Sequence, residues 1–161
     1  MAVADYFLKI DGIEGESQDS KHKGEIELHS FSYGGTQAVS GFGGGGGAGK
    51  VSLQDFHFTM PNSKASPKLF LNCCGGVHIA SAVLTCRKAG KDQQEFLKIT
   101  MSECIISSYQ SGGSGGADAV PVDQVAINFA KIEMEYKEQK ADGSLGGAVK
   151  SGWDLKKNVK V

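Results

Sequence analysis

The chain alternates apolar and polar residues in short runs interrupted by glycine. Tyr6-Phe7-Leu8-Lys9-Ile10 stops at Asp11-Gly12, and from Glu25 to Leu28 the aliphatic residues take one face while the glutamates take the other. A period of two marks a strand with one buried face. Leu97-Ile99-Met101, Val83 with its neighbours and a last short Trp153-Asp154-Leu155 supply further strands. Three runs change parity partway. Leu28 gives way to Phe31 and Tyr33, Val51 and Leu53 to Phe56, Phe58 and Met60, and Val125, Ile127 and Phe129 to Ile132, Met134 and Tyr136. A strand that swaps its buried parity contains a bulge or passes from one sheet into another. The pattern therefore predicts a mainly β protein: long, bent strands at the corners of a closed barrel or of a tightly packed pair of sheets.

One segment reads as helix. Ser66 is placed to cap it, Pro67 takes the first helical position, Lys68 to Cys74 follow, and Gly75-Gly76 stops it. So short a flanking helix depends on packing, and Leu69, Phe70 and Cys73 are its expected docking residues. The 161 residues make a single domain, 1–161.

Composition adds one anomaly. Glycine accounts for 23 of the 161 residues, about twice its average share of ~7%. Seven lie between Gly41 and Gly49, four between Gly112 and Gly116, and three more are Gly143, Gly146 and Gly147, so the excess marks loops between strands. The longest stretch without predicted structure, Thr36 to Gly49, is a long Gly-rich extended loop that carries two apolar residues, Val39 and Phe42. Five consecutive glycines make ordering costly, so the expectation is an arm that a partner orders. The alternative is that Phe42 packs back onto its own barrel.

Charge and motifs remove several functions. With 17 Lys+Arg against 18 Asp+Glu the net charge is -1, which offers nothing to a phosphate backbone or an anionic membrane, so no nucleic-acid and no membrane partner is expected. No apolar run nears the roughly 18 residues of a membrane span, and Met1 to Asp5 lacks the basic and apolar parts of a secretory signal, which predicts a cytoplasmic start. Gly44 to Lys50 satisfies the G-x-x-x-x-G-K half of a phosphate-binding loop. Val51 stands where a hydroxyl would hold magnesium, however, and a strand follows where a helix is needed. Cys73, Cys74, Cys86 and Cys104 form no C-x-x-C pair and read as small apolar fillers. His22, His29, His57 and His78 have no metal-ligand spacing, and no G-x-S-x-G elbow is present. No catalytic residue, cofactor or metal is expected.

Phe7-Leu8-Lys9-Ile10-Asp11-Gly12-Ile13-Glu14-Gly15-Glu16-Ser17, His22 and Glu25-Ile26-Glu27-Leu28 resemble the start of the Hcp family, the haemolysin-coregulated proteins of bacterial type VI secretion. Phe31-Ser32-Tyr33-Gly34, Gly43 to Val51, Ser107-Ser108 with Gly112 to Gly116, Asn128-Phe129-Ala130-Lys131, Gln139 to Gly143 and Gly152-Trp153 with Asn158 to Val161 extend the resemblance over essentially the whole chain. The resemblance implies a β-barrel of two packed antiparallel sheets with one short flanking helix, and a homohexamer whose rings stack into a tube. It also implies sheath and spike partners, expulsion from the cytoplasm on contraction, and small effector proteins held in the ring lumen. Val39, Phe42, Gly43, Gly44, Gly45, Gly46, Gly47 and Ala48 match the loop that projects toward the next ring. Ser30 and Ser32 are the candidate lumen residues that touch effectors; packing between subunits is the alternative for both. Two other functions stay open: an effector or toxin on an Hcp scaffold, disfavoured because the core uses all 161 residues, and a free-standing carbohydrate-binding β-sandwich, disfavoured by a single Trp153.

Overall fold

The computed structural model describes residues 4–38, 50–88, 93–116 and 120–161. Eleven strands and one helix follow in the order β1 (Ala4–Ile10), β2 (Ile26–Glu27), β3 (Ser30–Ser32), β4 (Gly35–Gln37), β5 (Val51–Leu53), β6 (Phe56–Pro61), α1 (Ala65–Gly75), β7 (Ile79–Lys88), β8 (Glu95–Gly112), β9 (Val122–Gln139), β10 (Leu145–Asp154) and β11 (Val159–Lys160). Nine strands share one antiparallel sheet, in which β11-β10-β9-β8-β7-β1-β2 are successive neighbours and β6 joins β9 to β3; β4 and β5 form a separate pair.

Each predicted parity change falls where a strand changes neighbours. Between β2 and β3 the Leu28 N–H donates to Tyr6 O of β1 (3.0 Å) and the His29 N–H to Thr59 O of β6 (2.8 Å). The chain thus crosses from one edge to the other, and the sheet closes on itself through Ile26–Ser32. Strand β9 pairs with β6 through residues 122–127 and with β10 through residues 131–139, so its buried side turns over between Phe129 and Ile132. Strand β8 makes a similar change that the hydrophobic pattern did not announce. Glu103 takes a positive φ of 56°, and the buried positions pass from Ile99 and Met101 to Cys104 and Ile106. Ser107 is then left out of the ladder to β9. An extra residue in one strand sharpens the bend that a closed sheet needs.

The interior is filled by alternate residues of these strands. Leu8, Phe56, Phe58, Met60, Leu69, Leu84, Ile99, Met101, Ile106 and Ile127 are all buried in one continuous cluster. Phe31 stacks at 5.9 Å on Phe56 and meets Tyr6 edge-on at 5.2 Å, so the flipped half of the β2–β3 run does face the core.

Several expectations are corrected. The helix begins at Ala65, where Ser63 Oγ rather than Ser66 takes the first-turn Ala65 N–H at 3.2 Å, so Pro67 is the third helical residue, still within the turn whose N–H groups lack helical acceptors. Ser66 faces inward instead, because the buried carboxylate of Asp123 takes its hydroxyl. Leu69 and Cys73 pack toward the core as expected, whereas Phe70 docks only at its edge, meeting the Tyr109 ring of β8 at 5.8 Å while more than half of it stays exposed. Thr36 and Gln37, expected in a loop, are in β4, held by main-chain pairing to Ser52 and Val51. Gly146 and Gly147, expected to mark a loop, lie inside β10, which runs eight residues ahead of Trp153. Its pairing to β9 comes from backbone bonds along a mostly exposed edge, which leaves little hydrophobic trace. Tyr136 is exposed although it continues the apolar alternation, and Cys74 is exposed although it read as a filler. Cys86 and Cys104 are buried as expected, and burial pushes their thiols up to about 12 and about 11.

Candidate assembly surfaces

The two broad outer faces of the sheet differ. Over β1 and β7 the outside is covered by residues 11–25. Gly15 brings this segment close, for its N–H donates to Gly24 O at 2.8 Å and a Cβ there would lie 2.4 Å from Glu25 O. The cover is held by charge and stacking. Arg87, 3% exposed, donates to both carboxylate oxygens of Asp19 and to Asp5 at 3.4 Å. The hydrogen bonds from Arg87, with one from the Lys21 N–H, hold Asp19 down to about 2. The Phe7 ring carries the Arg87 guanidinium at 4.7 Å and the His22 imidazole at 4.5 Å. Nδ1 and Nε2 of His22 lie 2.9 and 2.8 Å from carboxylate oxygens of Glu25 and Glu95.

The other face is uncovered and is built by β3, β6, β9 and β8. Register sets its rows. Ser30 lies opposite Thr59, Thr59 opposite Gln124, and Gln124 opposite Gln110; the next row is Ser32, His57, Ala126, Ser108. Neither row contains Lys, Arg, Asp or Glu. Below them both oxygens of Asp55 are taken, by Ser107 Oγ at 2.6 Å and Asn128 Nδ2 at 2.9 Å. Ser30 and Ser32 are exposed here, and Ser30 Oγ hydrogen-bonds Thr59 Oγ1 at 2.6 Å. Sequence reasoning singled out the two serines but missed Thr59, Gln124 and Gln110, which only cross-strand register brings beside them.

Val39, Phe42, Gly43 to Gly47 and Ala48 lie outside the described residues. What is described is the root of that segment: β4 and β5 pair from Gly35 opposite Leu53 to Gln37 opposite Val51, with Gly35 to Ala38 exposed. Lys50 runs into this strand pair, so the G-x-x-x-x-G-K match has no helix after it. Behind the root lies an apolar pocket of about 270 Å³ lined by Tyr33, Leu53, Phe129, Ile132, Met134 and Trp153 among others.

At the N-terminus of α1, Asp123 is fully buried and accepts from Ser66 Oγ, Tyr109 OH (3.0 Å) and Asn62 Nδ2 (3.1 Å). Burial alone would raise its carboxyl, but these donors and Ser111 hold it below the usual carboxylate range. The group fastens α1 to β8 and β9. Among the described residues no cluster of three or more His, Cys, Asp or Glu is placed to hold a metal ion, and no helix is long and apolar enough to cross a membrane.

Known proteins share both the sequence and this architecture. Residues 7–136 match the family model described as type VI secretion system effector, Hcp. The protein Hcp1 of Pseudomonas aeruginosa is 47% identical over 164 residues, covering 100% of both chains. The crystal structure of Hcp1 from Salmonella typhimurium is 37% identical with a TM-score of 0.84 over 100% of each chain. The structure of a type six secretion system protein is 29% identical with a TM-score of 0.92, covering 99% of this chain and 100% of that one. The sheet that closes through Ile26–Ser32, its flanking helix and an identity carried over full length lead to one conclusion: the chain belongs to the Hcp family of type VI secretion system proteins.

Proposed function

We propose that this protein is the tube subunit of a type VI secretion machine: six copies form a ring, rings stack inside the sheath behind a spike, and the lumen carries small effector proteins. The observation that supports a lumen most directly is the uncovered face of β3, β6, β9 and β8, whose two rows through Ser30 and Ser32 hold no Lys, Arg, Asp or Glu, since a conduit for varied cargo should hold none of it by strong charge. Ser30 and Ser32 are the cargo-touching residues on it. The segment from Val39 through Phe42 to Ala48, rooted on the exposed β4–β5 pair, reaches the next ring. On this reading the protein acts as structure and carrier, with no catalytic step, and leaves the cytoplasm when the sheath contracts.

Deleting Gly41 to Gly47 tests the arm. Hexamers by light scattering with secretion abolished is the expected result; loss of the hexamer itself would count against the assignment. Ser32→Gln tests the lumen through the cellular half-lives of co-expressed effectors of the same secretion machine. If every half-life is unchanged, the serines do not touch cargo.

A further inference from the structure

The uncovered face of β3, β6, β9 and β8 divides its polar side chains into those already partnered and those left over. Ser30 and Thr59 hydrogen-bond each other at 2.6 Å, and Asp55 accepts from Ser107 Oγ and Asn128 Nδ2. Around these pairs stand Gln110, Gln124, Ser32, His57 and Ser108, all exposed and without a side-chain hydrogen bond among the described residues. Register gathers them. Gln124 lies opposite Gln110, Ser32 opposite His57, and Ala126 separates His57 from Ser108. Each carboxamide carries an acceptor oxygen and two N–H donors, and each hydroxyl can donate and accept. Water serves such groups until a partner replaces it.

His57 is the titratable member of the group. Around it β3 offers Ser32, β9 offers Ala126 with Gln124 and Asn128 on either side, and β6 offers Thr59, with Asp55 just ahead of its first residue. Asp55 is the one carboxylate among these, and both its oxygens are already bonded. Farther along β8, Glu103 is taken by His78 at 2.8 Å. A neutral imidazole both donates and accepts, whereas the protonated ring only donates and carries a charge. Histidine is the side chain that ordinarily passes between these forms between pH 5 and 8.

We propose that Gln110, Gln124 and His57 select the cargo: they read a neutral surface of a small effector protein, rich in amide and hydroxyl groups, and loosen their hold on acidification. The inference rests on the lumen reading above and gives the contact its chemistry. A strongly charged cargo surface finds no opposite charge in rows without Lys, Arg, Asp or Glu, yet has to shed its water there. A neutral amide or hydroxyl surface exchanges bonds to water for bonds to Gln110, Gln124 and His57. Protonation of His57 removes the acceptor of its ring and sets an unpaired charge against that neutral surface. Binding therefore favours the neutral ring, and affinity falls as pH falls.

The full-length protein is titrated with each purified small effector of the same secretion machine at about pH 8 and about pH 5.5, on the two sides of the ordinary histidine range. Light scattering in both buffers separates loss of assembly from loss of cargo. Wild-type affinity should fall by about tenfold or more from the higher pH to the lower, and should change by less than about twofold between about 50 and 300 mM salt. His57→Gln keeps a donor and an acceptor but gains no proton, and should flatten the pH response. Gln110→Ala and Gln124→Ala should each weaken binding by about 2- to 10-fold with the pH response kept. Tighter wild-type binding in acid, a strong salt dependence, a wild-type pH response in His57→Gln, or glutamine variants that bind as the wild type does would each overturn this selection and leave the lumen reading intact. If no effector binds the wild type at either pH, both fail.

Discussion

Replacing Asp123 by Asn preserves the shape of the group that anchors α1 and removes its charge. Three side-chain donors point at this carboxylate, from Ser66, Tyr109 and Asn62. Hydrogen bonds to a charged acceptor contribute about 1.5–3 kcal/mol against about 0.5–1.5 for neutral ones, so three of them lose about 3–4.5 kcal/mol of charge assistance. Relief from burying a charge offsets part of this, which leaves a destabilisation of about 2–4 kcal/mol. In a chain of this length each kcal/mol shifts Tm by about 2–4 °C, so the melting point should fall by roughly 4–16 °C. The pH dependence provides a second readout. The folded carboxyl is held below its ordinary range, so its contribution is complete above the unfolded value of about 3.9 and is lost as pH falls through the lower, folded value. Urea unfolding at pH 7 and at steps below pH 4 should show the variant far less stable at neutrality, with the gap closing in acid. A variant within about 0.5 kcal/mol of wild type at pH 7, with the same gap at low pH, would refute the idea that Asp123 anchors the helix as an ionised group.

Three further outcomes are expected. Carbon NMR titration should place the Asp19 carboxyl at about 2, and Arg87→Met should move it back toward the ordinary range; the cover over β1 and β7 is thus fastened by this pair above the ordinary carboxylate range and released as pH falls through about 2. Leu69→Ala, at a fully buried site, should cost about 3 kcal/mol by calorimetry, while Phe70→Ala should cost only about 0.5–1.5 kcal/mol, the scale of its edge-on contact with Tyr109. In native buffer a thiol reagent should modify Cys74 first and reach Cys86 and Cys104 only on unfolding, because both are buried with raised thiol values.

The sequence announced the strands whose faces differ. The parity changes at Leu28, Leu53 and Phe129 were legible because a period-two pattern is set by each residue's own polarity, and each marks a point where a strand leaves one neighbour for another. The change in β8 was not legible. It turns on Glu103 adopting a positive φ, which no residue type advertises as glycine does. All of β10 before Trp153 escaped for a related reason: Ala148 to Gly152 are held by backbone pairing to β9, and an exposed edge strand needs few apolar residues. At Phe70 the helix polarity overstated the docking: the ring meets Tyr109 only at its edge and stays largely exposed.

What the sequence determined by itself is the mainly β character of the chain, the place of its helix, a net charge of only -1 and the positions of its glycine clusters. All of these depend on local side-chain character. The tertiary structure decided which residues meet across strands: Ser30 with Thr59, Gln124 and Gln110 in a row free of charged residues on one face, Arg87 with Asp19 on the other, and Asp123 beneath the helix. Those pairings depend on register and closure, which are settled by the whole sheet at once. No stretch of sequence encodes them alone.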